Sequence, residues 1–380
     1  MDSETHPHPT SPLLGRGVLM LITTDYPPDM GGVAWYYYCL VNKVGKFEGF
    51  KESRIEVLKL GRWALKQWWP LMLPLLIIKS LITQSDRWWV GQVLPVGTVV
   101  WLLSFVWRKP YIVSTHGMDV LIPLRSRRKR WLVGKILERA ELITANSEWT
   151  KRKIVENYLT CHSERNEVEP KNLPRMWAAR MREGSLDRLG MTMDGEKVIV
   201  IFPEPKPKHE IAASEVNELR LKLGIPEGAK ILLTVSRLVK RKGIDRVIAA
   251  LPEVWKHVPD LHYVVVGEGE EKAQLEFRKK EMLRQAQHDN FVHFVGKVDD
   301  EELAVYYSMA NAFILLPRDI DGDAEGFGIV YLEASLYGLP IIGTHSGGTS
   351  EALNQCSRVT IVNDPDNAGE IAQALWQQFQ

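Results

Sequence analysis

At 380 residues, with 45% hydrophobic and 25% charged side chains, the chain has the composition of a soluble globular protein and the length of two domains. Its net charge of +1 excludes a global nucleic-acid footprint. Three cysteines, Cys39, Cys161 and Cys356, lie far apart without metal spacing; they exclude a disulfide framework and read as the reduced thiols of a cytoplasmic protein.

Residues 1–17 are polar and rich in Pro and His, a disordered tail ending near Arg16. The apolar run that follows is too short for a signal sequence and reads as a first strand, Val18–Thr23. Gly31-Gly32 comes next, before a helical stretch, and would bring N–H groups against a phosphate or sugar; an ordinary tight turn explains the same pair. Further strands are predicted at Ile55–Leu60, Trp88–Gly91, Tyr111–Ser114, Leu142–Ala145 and Lys197–Phe202. Trp63–Ile82 approaches the length of a membrane span, but Lys66, Pro70, Pro74 and Lys79 interrupt it. It reads as a helix packed on a sheet, with an interfacial helix carrying Trp68 and Trp69 at headgroup level as the alternative.

His116 follows the Tyr111–Ser114 strand, beside Gly117, where a side chain points to a ligand at a strand's carboxyl end; a structural histidine is the alternative. Arg125–Arg130 reads Arg-Ser-Arg-Arg-Lys-Arg, a patch for anionic lipid or an anionic acceptor, or else a solvated helix face. The stretch 161–195 breaks the alternation of strands and helices and reads as an insertion or mobile loop. Pro203, Pro205 and Pro207 mark an extended spacer, giving domains at 18–203 and 204–380.

The second half repeats the alternation, with strands at Ile231–Ser236, His262–Val266, Val292–Val295, Ala312–Leu315 and Pro340–Gly343. Two such blocks predict two doubly wound parallel-sheet α/β domains, with the site in the cleft between them at the strands' carboxyl ends. Arg237 and Lys242 follow the first of these strands, where that position favours a clamp for a diphosphate over a solvated basic loop. Glu325-Gly326-Phe327-Gly328-Ile329-Val330-Tyr331-Leu332-Glu333 places two carboxylates around a glycine-flexed helix start. Ile329, Val330, Leu332 and Leu336 form that helix's apolar run. N–H groups at such a start seat an anion. Acids on either side fit hydroxyls, and a nucleotide sugar has that layout. Gly347-Gly348 supplies unusual dihedrals before another helix, where Glu351 suits the helix dipole.

In their joint order, Gly31-Gly32, His116-Gly117-Met118-Asp119, Ala145-Asn146-Ser147, Arg237 to Lys242-Gly243, Gly267-Glu268-Gly269, Glu325 to Glu333 and Gly347-Gly348 resemble the GT-B glycosyltransferases of family 4, in particular the phosphatidylinositol mannosyltransferases and related hexosyltransferases. The resemblance runs from Val18 to Leu353 apart from 161–195. It implies two Rossmann-like domains facing a cleft. It also implies retaining transfer of a hexose from a donor of the GDP-mannose or UDP-glucose type to a lipid or glycan acceptor, with no cofactor and no metal. The implied roles are Arg237 and Lys242 on the diphosphate, with N–H groups of Gly326, Phe327, Gly328 and Ile329. Glu325 would bind the donor sugar, Glu333 the ribose, and His116 the sugar near the reacting carbon. Gly31 and Gly32 would meet the diphosphate from the opposite domain, and Gly267, Glu268 and Val298 would border the base. Because the leaving phosphate can itself take the acceptor's proton, no carboxylate nucleophile is required, and Glu325 with Glu333 as a hydrolase pair is the weaker reading. The cysteines, the net charge and the two segments 125–130 and 63–82 make the expected setting the cytoplasm, with peripheral contact to anionic membrane through those segments as one reading and no nucleic-acid partner. Similar proteins continue past the Ala372–Phe379 helix, so a truncated, non-catalytic nucleotide-sugar binder is an alternative, as is a nucleotide-sugar epimerase.

Overall fold

A computed structural model describes residues 17–29, 31–44, 54–61, 69–159, 197–286 and 291–380. The predicted tail, Trp63 to Trp68, Cys161 and the 161–195 insertion lie outside them. The chain divides into two compact units, one of residues 1–146 and 151–202, the other of residues 147–150 and 203–380.

The first unit holds a six-stranded sheet in the order β2-β1-β3-β4-β5-β6. Its strands are β1 Val18–Thr23, β2 Arg54–Lys59, β3 Arg87–Val90, β4 Tyr111–Thr115, β5 Leu142–Ala145 and β6 Val198–Val200, and every pair is parallel. Alternation along the strands sorts the core into two layers. Met20, Ile22, Trp88, Val90 and Val113 face the helices Met72–Thr83, Val96–Trp107 and Arg127–Arg139. Leu19, Leu21, Trp89 and Ile112 face the helix Gly32–Val44 through Tyr36, Tyr37 and Leu40.

The second unit repeats the plan with the order β12-β11-β10-β7-β8-β9. Here β7 is Lys230–Val235, β8 Leu261–Val266, β9 Val292–Gly296, β10 Ala312–Ile314, β11 Ile341–Gly343 and β12 Val359–Ile361. All of these pairs are parallel as well. One core layer joins Leu232, Tyr263, Val265 and Ile314 to the helices Ile244–Trp255 and Ala368–Phe379 through Val247, Leu251, Ile371 and Leu375. The eleven predicted strands are all present within a residue or two at most ends. The twelfth, β12, is a three-residue edge strand, half-buried throughout, without the continuous apolar run of buried strands such as β8.

In both sheets the strand order reverses once, between β1 and β3 and between β7 and β10. Loops leaving the carboxyl ends of such a pair diverge to opposite sides and leave room for a ligand. Gly31-Gly32 follows β1, and His116 follows β4 in the same sheet. Arg241 and Lys242 follow β7, and Glu325 follows β10.

Candidate active site

The loop after β7 tightens into a 3-10 turn, Lys240–Lys242, and closes on Gly243 at φ 73°. A Cβ there would stand 2.2 Å from the Leu316 carbonyl oxygen, so only glycine lets the loop after β10 approach this closely. The turn drives Arg241 and Lys242 inward until they are 5% and 7% exposed. Both cations end on one oxygen of Glu325: Arg241 Nη1 lies 2.5 Å from Oε2, and Lys242 Nζ donates to the same atom. Arg241 Nε also faces Asp323 Oδ1 at 2.9 Å.

Burial pushes the Glu325 carboxyl up, but Lys242 and Arg241 more than reverse this and hold it down at about 2. Lys242 is held below the usual lysine range by burial, against the pull of Glu325 and with the charges of Arg241 and Arg237 adding to the effect. A buried charge is tolerated only when paired, and these three groups satisfy that condition together. The sequence reading pairs Lys242 with Arg237. In the structure Arg237 is exposed, and Arg241 is the arginine that shares a carboxylate with Lys242. No sequence signal separates them, because both sit in one basic run.

Glu325 opens the segment that leads to the helix Ile329–Leu336, whose N-cap Gly328 has φ 89°. The first N–H groups of any helix lie outside its internal ladder, so this start offers donors to an anion. Gly347, at φ 63°, backs the segment. A Cβ there would meet the Glu325 carbonyl oxygen at 2.1 Å, and Gly348 N donates to that oxygen at 2.8 Å. The helix buries Tyr331, Leu332, Glu333 and Ala334, with Phe327 buried just before it. Leu336, read as part of the apolar run, is instead 43% exposed. Tyr331 OH donates to Leu315 O at 2.7 Å and fastens the helix to the end of β10.

Glu333 lies on the buried face, 7% exposed, where Tyr307 OH donates to its Oε2 at 3.0 Å. Burial raises its carboxyl above the usual range, with Lys206 and the Tyr307 bond opposing. The two acids of the sequence motif therefore differ: Glu325 is held ionised by cations, and Glu333 is held by a phenol. Tyr307, stacked on Tyr337 with centroids 5.3 Å apart, is absent from the sequence reading. Nothing local marks it, since Tyr306 beside it on the same helix is buried as well.

The remaining predicted donor-side residues also lie at strand ends. Gly267 N donates to Gly296 O at 2.8 Å, and Glu268 O accepts from Leu238 N at 2.9 Å, tying the loops after β7, β8 and β9 into one rim. Glu268 is exposed and Val298 half-buried. Glu351, read as serving its own helix, uses its carboxylate elsewhere. It accepts from Glu148 N at 2.7 Å and Trp149 N at 2.8 Å, which explains why residues 147–150 count with the second unit.

In the first unit, Gly31 has φ 147° and Gly32 begins the helix Gly32–Val44. Tyr36 and Tyr37 from that helix hold the His116 ring edge-on, with centroids 5.0 and 5.3 Å away. Tyr37 OH lies 2.7 Å from His116 Nε2. Burial depresses the imidazole to about 4, so it is neutral at physiological pH. Asp119 Oδ1 accepts from His116 N at 2.9 Å, while its Oδ2 is buried without a hydrogen-bond partner. Burial lifts the Asp119 carboxyl to about 7, against the N–H bonds it accepts. Among the described residues, no group of three or more His, Cys, Asp or Glu is placed to hold a metal ion.

Residues 215–377 match the family model of the glycosyl transferases group 1. Over 369 residues the chain is 27% identical to the GDP-mannose-dependent alpha-(1-6)-phosphatidylinositol monomannoside mannosyltransferase of Mycolicibacterium smegmatis, covering 92% of this chain and 86% of that protein. Over 167 residues it is 35% identical to the alpha-monoglucosyldiacylglycerol synthase of Streptococcus pneumoniae, covering 44% of this chain and 36% of that one. The sucrose-phosphate synthase of Thermosynechococcus elongatus matches the fold with a TM-score of 0.67 at 18% identity, over 95% of this chain and 89% of that structure. Residues 215–377 thus form a glycosyl transferases group 1 domain, and the chain's two parallel-sheet units have the GT-B fold.

Proposed function

We propose that this glycosyltransferase moves a hexose, mannose or glucose, from a nucleoside-diphosphate sugar to a lipid or glycan acceptor, with the anomeric configuration retained and without a metal ion. The observation that carries the reading is the convergence of Lys242 and Arg241 on Glu325, beside the start of the helix Ile329–Leu336. When the diphosphate enters, its oxygens replace Glu325 as the partner of the cations. Glu325 is thereby released to accept hydrogen bonds from sugar hydroxyls. As the anomeric C–O bond breaks, negative charge grows on the leaving phosphate, and Lys242, Arg241, Arg237 and the helix-start N–H groups stabilise it in place. The leaving phosphate then takes the acceptor hydroxyl's proton. Glu333 and its Tyr307 partner serve the ribose, Gly267, Glu268 and Val298 the base, and in the first unit His116 and Gly31-Gly32 serve the sugar and phosphate. The named activities of the mycobacterial and streptococcal relatives support a lipid acceptor.

A lipid acceptor also suits the surface of the first unit. The helices Met72–Thr83 and Val96–Trp107 pack side by side and expose Ile78, Leu81, Ile82, Leu102, Phe105 and Val106. Four basic residues open the helix Arg127–Arg139, at the end whose dipole repels them. An anionic membrane surface would relieve that repulsion. No described helix is long and apolar enough to cross a membrane.

The test is release of GDP from GDP-mannose, and of UDP from UDP-glucose, in the presence of lipid acceptors. Lys242→Ala should lower turnover by about 10²–10³, the usual cost of losing one group that stabilises charge in the transition state, and Glu325→Ala should lower it too, through the lost hold on the donor sugar. Turnover equal to wild type in both variants would overturn the reading. NMR of the product's anomeric proton decides retention, and full activity after chelation decides metal independence.

A further inference from the structure

Behind the Lys240–Lys242 turn lies an arginine that neither the sequence motifs nor the proposed chemistry uses. Arg318 follows β10, and its side chain is 10% exposed. Its backbone N–H donates to Arg241 O at 2.7 Å. Its Nη2 donates to Lys240 O at 3.0 Å and to Asp245 Oδ1 at 3.1 Å, and its Nη1 donates to Asp366 Oδ1 at 2.9 Å. One residue thus takes two successive carbonyls of the turn whose side chains, Arg241 and Lys242, run the other way to Glu325. Asp245 and Asp366 balance its charge and share it with Arg246, whose Nη2 lies 2.8 Å from Asp366 Oδ1. A 3-10 turn of three residues has little hydrogen bonding of its own to hold its shape. Here the Gly243 approach to Leu316 and the two bonds from Arg318 fix it to the end of β10, across the point where the strand order reverses.

We propose that Arg318 is a positioning residue for the donor's diphosphate: by holding Lys240 O and Arg241 O from behind, it sets where Lys242 presents its ammonium group. The proposal rests on the donor-binding role of Lys242 given above. It has a chemical signature that a general loss of structure lacks. The turn meets the diphosphate and not the base, so loosening it should cost affinity for the charged part of the nucleotide alone. The side chain's own partners, the Lys240 carbonyl and two carboxylates, call for a planar fork with several N–H donors, so lysine should restore the charge without restoring the position.

The experiment uses the full chain and paired probes, GDP with guanosine and UDP with uridine, with affinities taken from ligand-observed NMR and calorimetry. For Arg318→Met we expect diphosphate affinity to fall about tenfold or more while nucleoside affinity stays within twofold. In steady state the loss should appear mainly in KM for the donor. Arg318→Lys should remain well below wild type in diphosphate affinity. Asp366→Ala, which removes a partner of Arg318 without touching the turn, should leave both affinities within twofold. Should Arg318→Met fail to fold, Arg318→Lys and Asp366→Ala still decide. A lysine variant that binds diphosphate as wild type does overturns the proposal. So does an equal loss of nucleoside and diphosphate affinity in a folded variant. A wild-type chain that binds neither diphosphate overturns the donor-site reading and this proposal with it. Normal wild-type binding with an unaffected Arg318→Met variant overturns this proposal alone.

Discussion

The Tyr37 hydroxyl lies 2.7 Å from His116 Nε2 and donates to Gly91 O at 2.5 Å. A phenol has one proton, and the carbonyl, which can only accept, takes it. His116 must therefore donate from Nε2, and the neutral ring turns a bare Nδ1 to whatever else it meets. Such a nitrogen accepts from a hydroxyl and rejects a carboxylate or phosphate, which agrees with a hexose and disagrees with an acidic sugar.

Tyr37→Phe removes the proton that satisfies Gly91 O and the acceptor that fixes the imidazole. Leaving such buried groups unpaired should cost about 1–3 kcal/mol of stability. Nitrogen-15 NMR of His116 should show the Nε2–H form in wild type at pH 7 and a mixture of tautomers in the variant. A wild-type ring protonated at Nδ1 instead would refute the assignment.

The Glu325 ion pair makes a prediction about acid stability. Its carboxyl is held at about 2 against an ordinary 4.5. A folded-state value below the unfolded one means a contribution fully present above about pH 4.5 and lost as the pH falls toward 2. The size is on the order of 3 kcal/mol. Glu325→Gln should therefore unfold at lower urea than wild type at pH 7, and the gap should narrow steadily below pH 4.5. A gap that stays constant down to pH 3 would show that the carboxylate is not held by Lys242 and Arg241.

How far the sequence reveals all this depends on the physics of each residue. Strands buried on both faces, such as Leu261–Val266 and Tyr111–Thr115, advertise themselves as apolar runs. β12 does not, because Val359, Thr360 and Ile361 are only half-buried. The acids of the Glu325–Glu333 segment stand out because carboxylates bracket glycines at a helix start. Arg241 does not stand out, because in Arg237–Lys242 the order of charges says nothing about which one turns inward. That choice belongs to the positive φ of Gly243 and to the closeness of Leu316, which are tertiary facts. Tyr37 and Arg318 are hidden for the same reason. Their partners lie at Gly91, His116, Lys240 and Asp366, and no local pattern encodes contacts over 48 to 79 residues.

The membrane reading separates into an apolar and an electrostatic part, each with its own variant. Leu81, Ile82 and Val106 are 65%, 69% and 76% exposed, so changing them together to serine should alter folding stability little, within about 0.5 kcal/mol each. It should lower binding to vesicles of any charge, since the buried apolar area is lost. Neutralising Arg127, Arg128 and Arg130 to glutamine should remove about 1 kcal/mol per residue, but only on anionic vesicles and only at low salt. It should also relieve the helix start of like charge, so the variant should unfold no more easily than wild type. Flotation with phosphatidylcholine vesicles, with and without phosphatidylinositol, at two salt concentrations resolves the two parts. If both variants partition like wild type in every mixture, neither the exposed helices Met72–Thr83 and Val96–Trp107 nor the basic start of the helix Arg127–Arg139 meets lipid.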